Sequence, residues 1–268
     1  MAKRKRESEG CFLADRQYTK FFLGTVLKLA VFLGLCGGAY YASGRFLHYP
    51  FDRIVPIASA FVITAVFLLV VERDRRSFFA KGYLLENAVT GSLWGLGCAV
   101  FGPLIGLAFK TRYFYWNADP DINGILFDTL SSGTLYAVII FGYFFHIIRY
   151  DFGAVPAVII SSVAFGLLCA YGTSQGLITH NILIPAAAYY AVIGAAAGML
   201  ILQLGDVRSA VMFIFIYSLI SELAETFTRG GRSFFTDVTA LIMAVLCGFA
   251  MYLEMYFERK KKEKNLEI

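Results

Sequence analysis

The chain has 268 residues, of which 58% are hydrophobic and only 16% are charged, and its formal net charge is +5. A soluble domain carries nearer a quarter charged residues, and here uncharged apolar runs recur from end to end, which excludes a soluble domain with one anchor. The positive charge does not indicate nucleic acid as a partner, because the basic residues form short clusters beside apolar runs, where they set membrane topology.

Eight apolar runs predict an all-α fold, a polytopic transmembrane helix bundle whose main partner is the lipid bilayer. Each run is near the roughly 20 residues that a helix needs to cross the hydrocarbon core. The predicted spans are 21–43, 54–71, 88–109, 125–147, 155–172, 183–203, 208–223 and 236–257. Residues 1–20 then form a basic N-terminal tail, 21–257 the bundle and 258–268 a basic C-terminal tail.

Lysine and arginine in the loops predict the orientation of the bundle. Seventeen of them fall on the side of both termini and six on the other side, which are Arg45, Arg53, Lys110, Arg112, Arg229 and Arg232. Because cytoplasmic loops carry the excess of basic residues, we expect both termini in the cytoplasm. The first apolar run is long and has no small-residue cleavage site, so we expect a retained first helix and not a signal peptide.

Small residues recur at four-residue spacing within the predicted spans. The pairs are Gly34/Gly38, Gly91/Gly95, Gly102/Gly106 and Gly194/Gly198. In lipid such pairs let helix backbones approach closely, so they predict tight packing of the bundle.

The cysteines and histidines predict neither a metal site nor a disulfide framework. The five cysteines form no C-x-x-C pair, and no two of the three histidines have the spacing of metal ligands on one helix. We therefore expect no metal and no cofactor. Cys169, in the run V-A-F-G-L-L-C-A-Y-G, has no predicted base nearby to form the thiolate that a nucleophile needs, so it is interpreted as a small packing residue.

Few ionisable residues lie at membrane depth, where each one suggests a function by default. Lys28 is near enough to its helix end to extend to the interface, and Asp128 is interpreted as a carboxylate at the start of a helix. Glu222 and Glu225 share a helix face and are candidates for acid/base work, or for solvated partners of Arg229 and Arg232. A transport path would need Asp128, Lys28, Gln203, Ser131, Ser132, Thr134, Ser161 and Ser162.

Three stretches resemble the CPBP family of intramembrane proteases, the CAAX-protease and bacteriocin-processing (Abi) group. R-D-R-R-S-F-F-A-K-G-Y followed by G-S-L-W-G-L-G resembles the family's basic loop and glycine-rich helix. F-G-Y-F-F-H-I-I-R-Y-D-F-G-A-V-P-A-V-I-I-S-S-V-A-F-G-L-L resembles its core helix pair, and A-A-A-Y-Y-A-V-I-G-A-A-A-G-M-L-I-L-Q-L-G-D-V-R-S-A-V-M its next pair. The resemblance implies a CPBP-like bundle in a bacterial cytoplasmic membrane.

The family's catalytic motifs are absent at the matching positions. E-E-x-x-x-R is replaced by the run that begins Tyr136-Ala137 and ends at Phe141. F-x-x-x-H is replaced by the run from Phe165 to Cys169. H-x-x-x-N or H-x-x-x-D is replaced by Ile214 and Ser218. In the family the glutamate activates water, and the histidines and asparagine polarise or position the peptide carbonyl. Without these groups neither water activation nor oxyanion stabilisation remains.

The resemblance therefore implies a pseudoprotease, a non-catalytic protein that binds or scaffolds a membrane peptide or a partner protein's helix. The seven replaced positions are its candidate cavity-lining residues. Two alternatives remain open at this point. One is an active CAAX-type intramembrane protease that uses Glu222 or Glu225, and the other is a small-solute transporter or channel component.

Overall fold

The computed structural model describes residues 2–48, 51–71, 84–108, 110, 113–115, 117, 119–174, 180–229, 253 and 257, with only the backbone given for 2–21. The predicted eighth span, 236–257, and the tail 258–268 lie outside the described residues, except for Leu253 and Phe257. The helix α1 begins at Ala2, so the described part of the predicted N-terminal tail is helical and continues into the first span.

Nearly all of the described chain is helical. Its elements are α1 (Ala2–Phe46), α2 (Phe51–Val66), the π-helical segment π1 (Phe67–Val71), α3 (Leu84–Ala108), β1 (Tyr113–Phe114), α4 (Ile122–Thr129), π2 (Leu130–Thr134), α5 (Leu135–Ala137), π3 (Val138–Phe144), α6 (Phe145–Phe152), α7 (Ala154–Ser174), α8 (His180–Leu204), α9 (Val207–Phe227) and β2 (Thr228–Arg229).

Six helical segments are long and apolar enough to cross a bilayer. They are Phe22–Phe46, Ile54–Val71, Leu135–Phe152, Ala154–Tyr171, Ala186–Leu204 and Val207–Ala224. These segments overlap six of the predicted spans, and the largest shift is at 125–147, where the segment is Leu135–Phe152. The 25-residue helix α3 covers most of the predicted span 88–109. The protein is thus an all-α, multi-pass integral membrane protein, as the sequence predicts.

The run from α4 to α6 forms the centre of the bundle. In its span Leu135–Phe152, 61% of the residues are buried inside the protein, against 17% for Phe22–Phe46 of α1. The central run is packed on several sides, by α2, α7 and α9 among others. The helix α1 instead packs along α2 and presents most of its surface outward.

Two π-helical segments interrupt the central run, and a glycine in each approaches a neighbouring helix. A Cβ on Gly133 of π2 would lie 2.3 Å from the Oγ of Ser218 on α9, and one on Gly142 of π3 would lie 2.8 Å from the Cγ2 of Thr64 on α2. The wider π turn is commonly found at functional sites. Here the two π-helical segments flank α5, which carries Tyr136 and Ala137.

The predicted glycine contacts are present at two of the four pairs. A Cβ on Gly91 or Gly95 of α3 would lie 2.1 or 2.4 Å from the carbonyl oxygens of Ser209 and Phe213 on α9. The later glycine of α3 meets the later residue of α9, so the two helices run parallel. No atom of the described chain lies within 4 Å of an added Cβ at Gly34 or Gly38, and the surroundings of Gly102 and Gly106 are not described.

The second predicted pair that packs closely is Gly194/Gly198, where α8 meets α7 and α6. An added Cβ on Gly194 would lie 3.2 Å from the Cα of Ser162, and one on Gly198 would lie 3.5 Å from a methyl group of Val158. The later glycine of α8 meets the earlier residue of α7, so the two helices run antiparallel. Small residues on α8 thus allow the backbone to approach its neighbour, as expected in lipid.

Turn chemistry explains how α8 is followed directly by α9. Gly205 has a φ of 67°, which favours glycine, and its N–H donates to the carbonyl of Ile201 at 2.9 Å, closing the end of α8. Asp206 then caps the N-terminus of α9 by accepting a hydrogen bond from the Arg208 N–H at 3.0 Å. The hydroxyls of Tyr189 and Tyr217 hydrogen-bond to each other across the resulting helix pair.

Candidate functional site

The three segments that carry the replaced motif positions meet in the bundle core. The segment α5 lies against both α7 and α9, and π3 contacts the same two helices. Tyr136, Ala137 and Phe141 come from α5 and π3, Phe165 and Cys169 from α7, and Ile214 and Ser218 from α9. The fold therefore gathers these elements in one region of the bundle.

Apolar packing fills this region. Ala137, Phe141 and Ile214 have no exposed surface, and Phe165 is 2% exposed. The rings of Phe141 and Phe165 are 5.5 Å apart between centroids and tilted by 49°, a contact that aromatic pairs favour. None of these side chains can accept a proton from water or donate to an oxyanion, so the core of the region holds no acid/base chemistry.

Ser218 packs against the backbone of the central run. Its hydroxyl lies over Gly133, and Ile214, one turn earlier, contacts the same glycine, with its Cγ2 3.6 Å from an added Cβ. Farther along α9, Glu222 is exposed, and the side chain of Glu225 lies outside the described residues. The expectation that these two carboxylates work as an acid/base pair therefore stays a prediction.

Tyr136 is the one aromatic hydroxyl at the replaced positions. It is half-buried, and the hydroxyls of Tyr40 on α1 and Tyr171 on α7 and the thiol of Cys169 lie within electrostatic range of it. Tyr40 and Tyr171 are 52% and 66% exposed, while Cys169 is 7% exposed. We call Tyr40, Tyr136 and Tyr171 the tyrosine cluster. Two of its members are exposed, on α1 and α7, and the third is half-buried beside the core.

A buried polar cluster surrounds Asp206 at the start of α9, and it was not predicted from the sequence. The Asp206 carboxylate is fully buried; it accepts hydrogen bonds from Arg208 Nε at 2.9 and 3.0 Å and from Asn87 Nδ2 on α3 at 3.2 Å. Ser209 Oγ donates to the Asp206 carbonyl at 2.7 Å. His146 of α6, 3% exposed, lies within electrostatic range of Asp206. The glycine-aspartate pair after α8 was the signal that sequence reasoning could have used.

A second unpredicted contact joins α1 to the end of α6. Thr25 Oγ1 donates to Asp151 Oδ2 at 2.5 Å, and the rings of Phe22 and Phe152 meet beside it at 6.1 Å. Lys28 lies one turn from Thr25 and is half-buried. These contacts fix the position of α1 at the end of the bundle that also holds Asp206.

The hydroxyls proposed for a transport path differ in whether they are hydrogen-bonded. Ser162 donates to the carbonyl of Val158 in its own helix, and Thr134 donates to the carbonyl of Thr129 at 3.2 Å, as serine and threonine in helices usually do. Ser161 is fully buried, and its hydroxyl has no hydrogen-bond partner among the described residues. Asp128 is exposed, and Asp121, not Asp128, caps the start of α4 by accepting from the Gly124 N–H at 2.9 Å.

An apolar groove of about 280 Å³ lies between the C-terminal halves of α3 and α9. Its lining is Val100, Pro103, Leu104, Leu107, Phe114, Ile220, Leu223, Ala224, Phe227 and Thr228. None of the seven replaced motif positions contributes to it. The groove lies C-terminal to the close approach of α3 and α9 at Gly91 and Gly95.

The thiols and carboxylates of the described residues show no metal-binding constellation. Within those residues no three His, Cys, Asp or Glu side chains are grouped as ligands, and Cys36, Cys98 and Cys169 form no disulfide with one another. Comparison with known proteins gives no further assignment of chemistry to these groups: no protein-family model matches the chain, and no curated protein matches it.

Proposed function

We propose that the chain is a CPBP-like pseudoprotease, which binds or scaffolds an apolar membrane peptide or a partner protein's transmembrane helix without cleaving it. One observation carries the proposal. Ala137, Phe141 and Ile214 have no exposed surface and no ionisable group, and they occupy positions where the resemblance requires a glutamate, an arginine and a histidine. An uncharged region of this kind also avoids the cost of burying charges in lipid.

The tyrosine cluster is the proposed contact surface for that partner. Tyr40 and Tyr171 are exposed on α1 and α7, and Tyr136 joins them to the core. Tyrosine combines a large apolar ring with a hydroxyl, so it contacts an apolar helix and still satisfies a polar group on it. Interhelical hydrogen bonds of this type contribute to helix association in membranes.

Hydrolysis is the first test. The purified protein is incubated with prenylated CAAX peptides and with bacteriocin leader peptides, and products are followed by mass spectrometry. We expect no cleavage above the level of protein-free controls. Cleavage that disappears in the Glu222→Gln/Glu225→Gln variant would overturn the pseudoprotease proposal in favour of an active protease. Solute flux into proteoliposomes that depends on Asp128 would favour the transporter alternative instead.

Binding is tested by photocrosslinking in cells. A benzophenone amino acid is placed at Tyr171, in the tyrosine cluster, and at Val163, which is 50% exposed on the same helix. We expect a discrete crosslinked peptide or protein from position 171 that is reduced by Tyr136→Ala, and only lipid adducts from position 163. Equal yields of the same adduct from both positions would contradict a defined contact surface.

We further propose eight spans in a bacterial cytoplasmic membrane, with both termini cytoplasmic. The charge bias of the loops supports this topology, and so does the parallel packing of α3 and α9, because the topology starts spans three and seven on the same side. In a variant with Cys11→Ser, a membrane-impermeant maleimide should label Asp119→Cys in intact cells and Ser8→Cys only after permeabilisation. The reverse pattern would invert the orientation.

A further inference from the structure

Three consecutive aromatic residues are exposed on the short sheet that joins the ends of α3 and α9. Tyr113 and Phe114 form β1, and Tyr115 follows them. All three side chains are exposed, and those of Tyr113 and Phe114 are 61% and 76% exposed. Large rings that stay in water forgo the free energy of burial, so a run of them indicates a surface that another phase or molecule covers.

Backbone hydrogen bonds hold this strand at a fixed level along α9. Phe114 is paired with Thr228, the first residue of β2. The Tyr115 N–H donates to the carbonyl of Phe227, the last residue of α9, at 3.0 Å. The three aromatic residues therefore lie beside the end of α9, and their depth in a bilayer follows from the distance between that helix end and the hydrocarbon core.

The end of α9 extends only a short distance beyond the hydrocarbon core. The apolar segment Val207–Ala224 ends four residues before β2, and Glu222, whose side chain is exposed, lies six residues before it. At about 1.5 Å per helical residue, these separations are about 6 and 9 Å. The headgroup layer is about 5–7 Å thick on each side of a bilayer, so β1 and β2 begin at the level of this layer.

Charged residues on both sides of the aromatic run agree with this level. Lys110 is exposed between α3 and β1, and Asp119 and Asp121 are exposed after β1. The aromatic run thus lies between an apolar helix, on which Leu104 is exposed, and carboxylates that need water. These charges have both signs, so they favour no particular charge on a lipid headgroup. Tyrosine is enriched at this level of membranes, because its ring is apolar and its hydroxyl is polar.

We propose that β1 is an interfacial anchor, whose partner is the headgroup layer of the bilayer. The side chains of Tyr113, Phe114 and Tyr115 lie in this layer and do not select a headgroup by its charge. The anchor continues the lipid-facing surface of α3, and it fixes the tilt and height of the α3–α9 pair, as interfacial aromatic residues do for transmembrane helices. It is separate from the tyrosine cluster and does not depend on the proposed function.

Depth-dependent fluorescence quenching tests the anchor. Trp94→Phe/Trp116→Phe removes both tryptophans of the full-length chain, and Phe114→Trp or Asp119→Trp then supplies a single reporter. Each variant is purified and reconstituted into phosphatidylcholine vesicles. The vesicles carry a nitroxide on the headgroup, near the top of an acyl chain or near its methyl end. Iodide in the buffer serves as the aqueous quencher.

We expect the headgroup and upper-chain nitroxides to quench the Phe114→Trp reporter at least about twofold more than the methyl-end nitroxide does. Iodide should quench the Asp119→Trp reporter strongly and the Phe114→Trp reporter weakly. Equal iodide quenching of both reporters would place β1 in water, which would overturn the anchor and favour a protein partner for this surface. Strongest quenching by the methyl-end nitroxide would place β1 in the hydrocarbon core and would also overturn it.

A second pair of variants tests whether the two rings of β1 hold the strand at this depth. With Tyr115→Trp as the reporter, Tyr113→Ser/Phe114→Ser should raise iodide quenching about twofold, because the rings that favour the headgroup layer are lost. Phe46→Ser, at an exposed ring on α1, is the matched control and should leave the reporter unchanged. Size-exclusion elution verifies that every variant is folded. A folded double-serine variant with unchanged quenching would contradict the anchor.

Discussion

Asn87 on α3 donates a hydrogen bond to Asp206, the capping residue of α9, with 3.2 Å between its Nδ2 and the Oδ2 of the carboxylate. The two residues are 119 positions apart in the chain, and both are buried. The bond therefore connects the first turns of two parallel helices whose backbones touch farther along, at Gly91 and Gly95. It fixes the register of α3 against α9 at one end of the bundle.

Removal of the Asp206 carboxylate should destabilise the bundle strongly. Asp206→Ala leaves Asn87 buried without this acceptor and removes the capping bond of α9, so we expect a loss of about 2–3 kcal/mol. Asn87→Ala removes one hydrogen bond and should cost about 1 kcal/mol. Thermal unfolding in detergent, followed by circular dichroism, measures both changes.

The matched control for Asp206 is Asp119, an exposed carboxylate in the loop before α4. Asp119→Ala should change the unfolding free energy by no more than about 0.5 kcal/mol. If Asp206→Ala proved as mild as this control, the buried hydrogen bonds around Asp206 would not contribute to the stability of the fold.

Glycine substitutions should separate helix contacts from open surface. Gly91→Ala and Gly95→Ala place a Cβ at 2.1 and 2.4 Å from backbone carbonyl oxygens of α9, which cannot move aside as a side chain would, so each should cost about 2 kcal/mol or more. Gly34→Ala, with no described atom within 4 Å, should stabilise α1 by about 0.5–1 kcal/mol.

Unfolding in a mild detergent, scored by the midpoint temperature, measures the glycine series. The sign of the change is decisive. Gly91→Ala and Gly95→Ala should lower the midpoint temperature, whereas Gly34→Ala should raise it. A destabilising Gly34→Ala would mean that a neighbouring helix or a second copy of the chain covers this face of α1.

Acidic residues at the two positions that the resemblance aligns with the family's glutamate pair should damage the fold. Ala137 has no exposed surface, and a glutamate there would be buried among apolar groups at membrane depth, at a cost of about 3 kcal/mol. The neighbouring Tyr136 is half-buried, so Tyr136→Glu should cost clearly less. Expression level and size-exclusion profile compare the two variants.

The corresponding catalytic test uses the triple variant Tyr136→Glu/Ala137→Glu/Cys169→His in the peptide-cleavage assay. We expect no activity, since Phe141 and Ile214 supply no polar group at the other two positions that the resemblance aligns with the family's motifs. A stable and active triple variant would show that the region keeps a working cavity.

An aromatic cluster should hold α1 to the bundle. Phe32 of α1 lies 4.7 Å from Tyr143 and 5.2 Å from Phe67 between ring centroids, and those two rings are 5.0 Å apart. Phe32→Ala creates a cavity and should cost about 2 kcal/mol, mostly through lost packing, because lipid is as apolar as the core.

Limited proteolysis after the first span should report detachment of α1 in Phe32→Ala. The control is Phe46→Ala, at a side chain that is 75% exposed, and it should be neutral. Equal protease sensitivity of the two variants would mean that α1 is held by its other contacts, such as the Thr25–Asp151 hydrogen bond.

The turn between α8 and α9 has a local sequence signal that the sequence analysis did not use, whereas the polar contacts around it have none. Gly205 followed by Asp206 ends one helix and starts the next through backbone geometry that belongs to the two residues themselves. The partner of Asp206 was out of reach, because Asn87 lies 119 residues away and nothing in its own surroundings marks it. The glycine pairs show the same limit, since Gly91/Gly95 and Gly34/Gly38 have identical spacing and only the first pair meets another helix.

The sequence by itself determined that the chain is a multi-pass helical membrane protein, because the length and apolarity of a span are properties of consecutive residues. It also determined that Ala137, Phe141 and Ile214 carry no groups for acid/base catalysis. Only the tertiary structure decided that these residues are packed into one region, that Tyr136 lies within electrostatic range of Tyr40 and Tyr171, and that α3 and α9 leave an apolar groove between them. Such contacts join residues far apart in the chain, and packing of whole helices sets them.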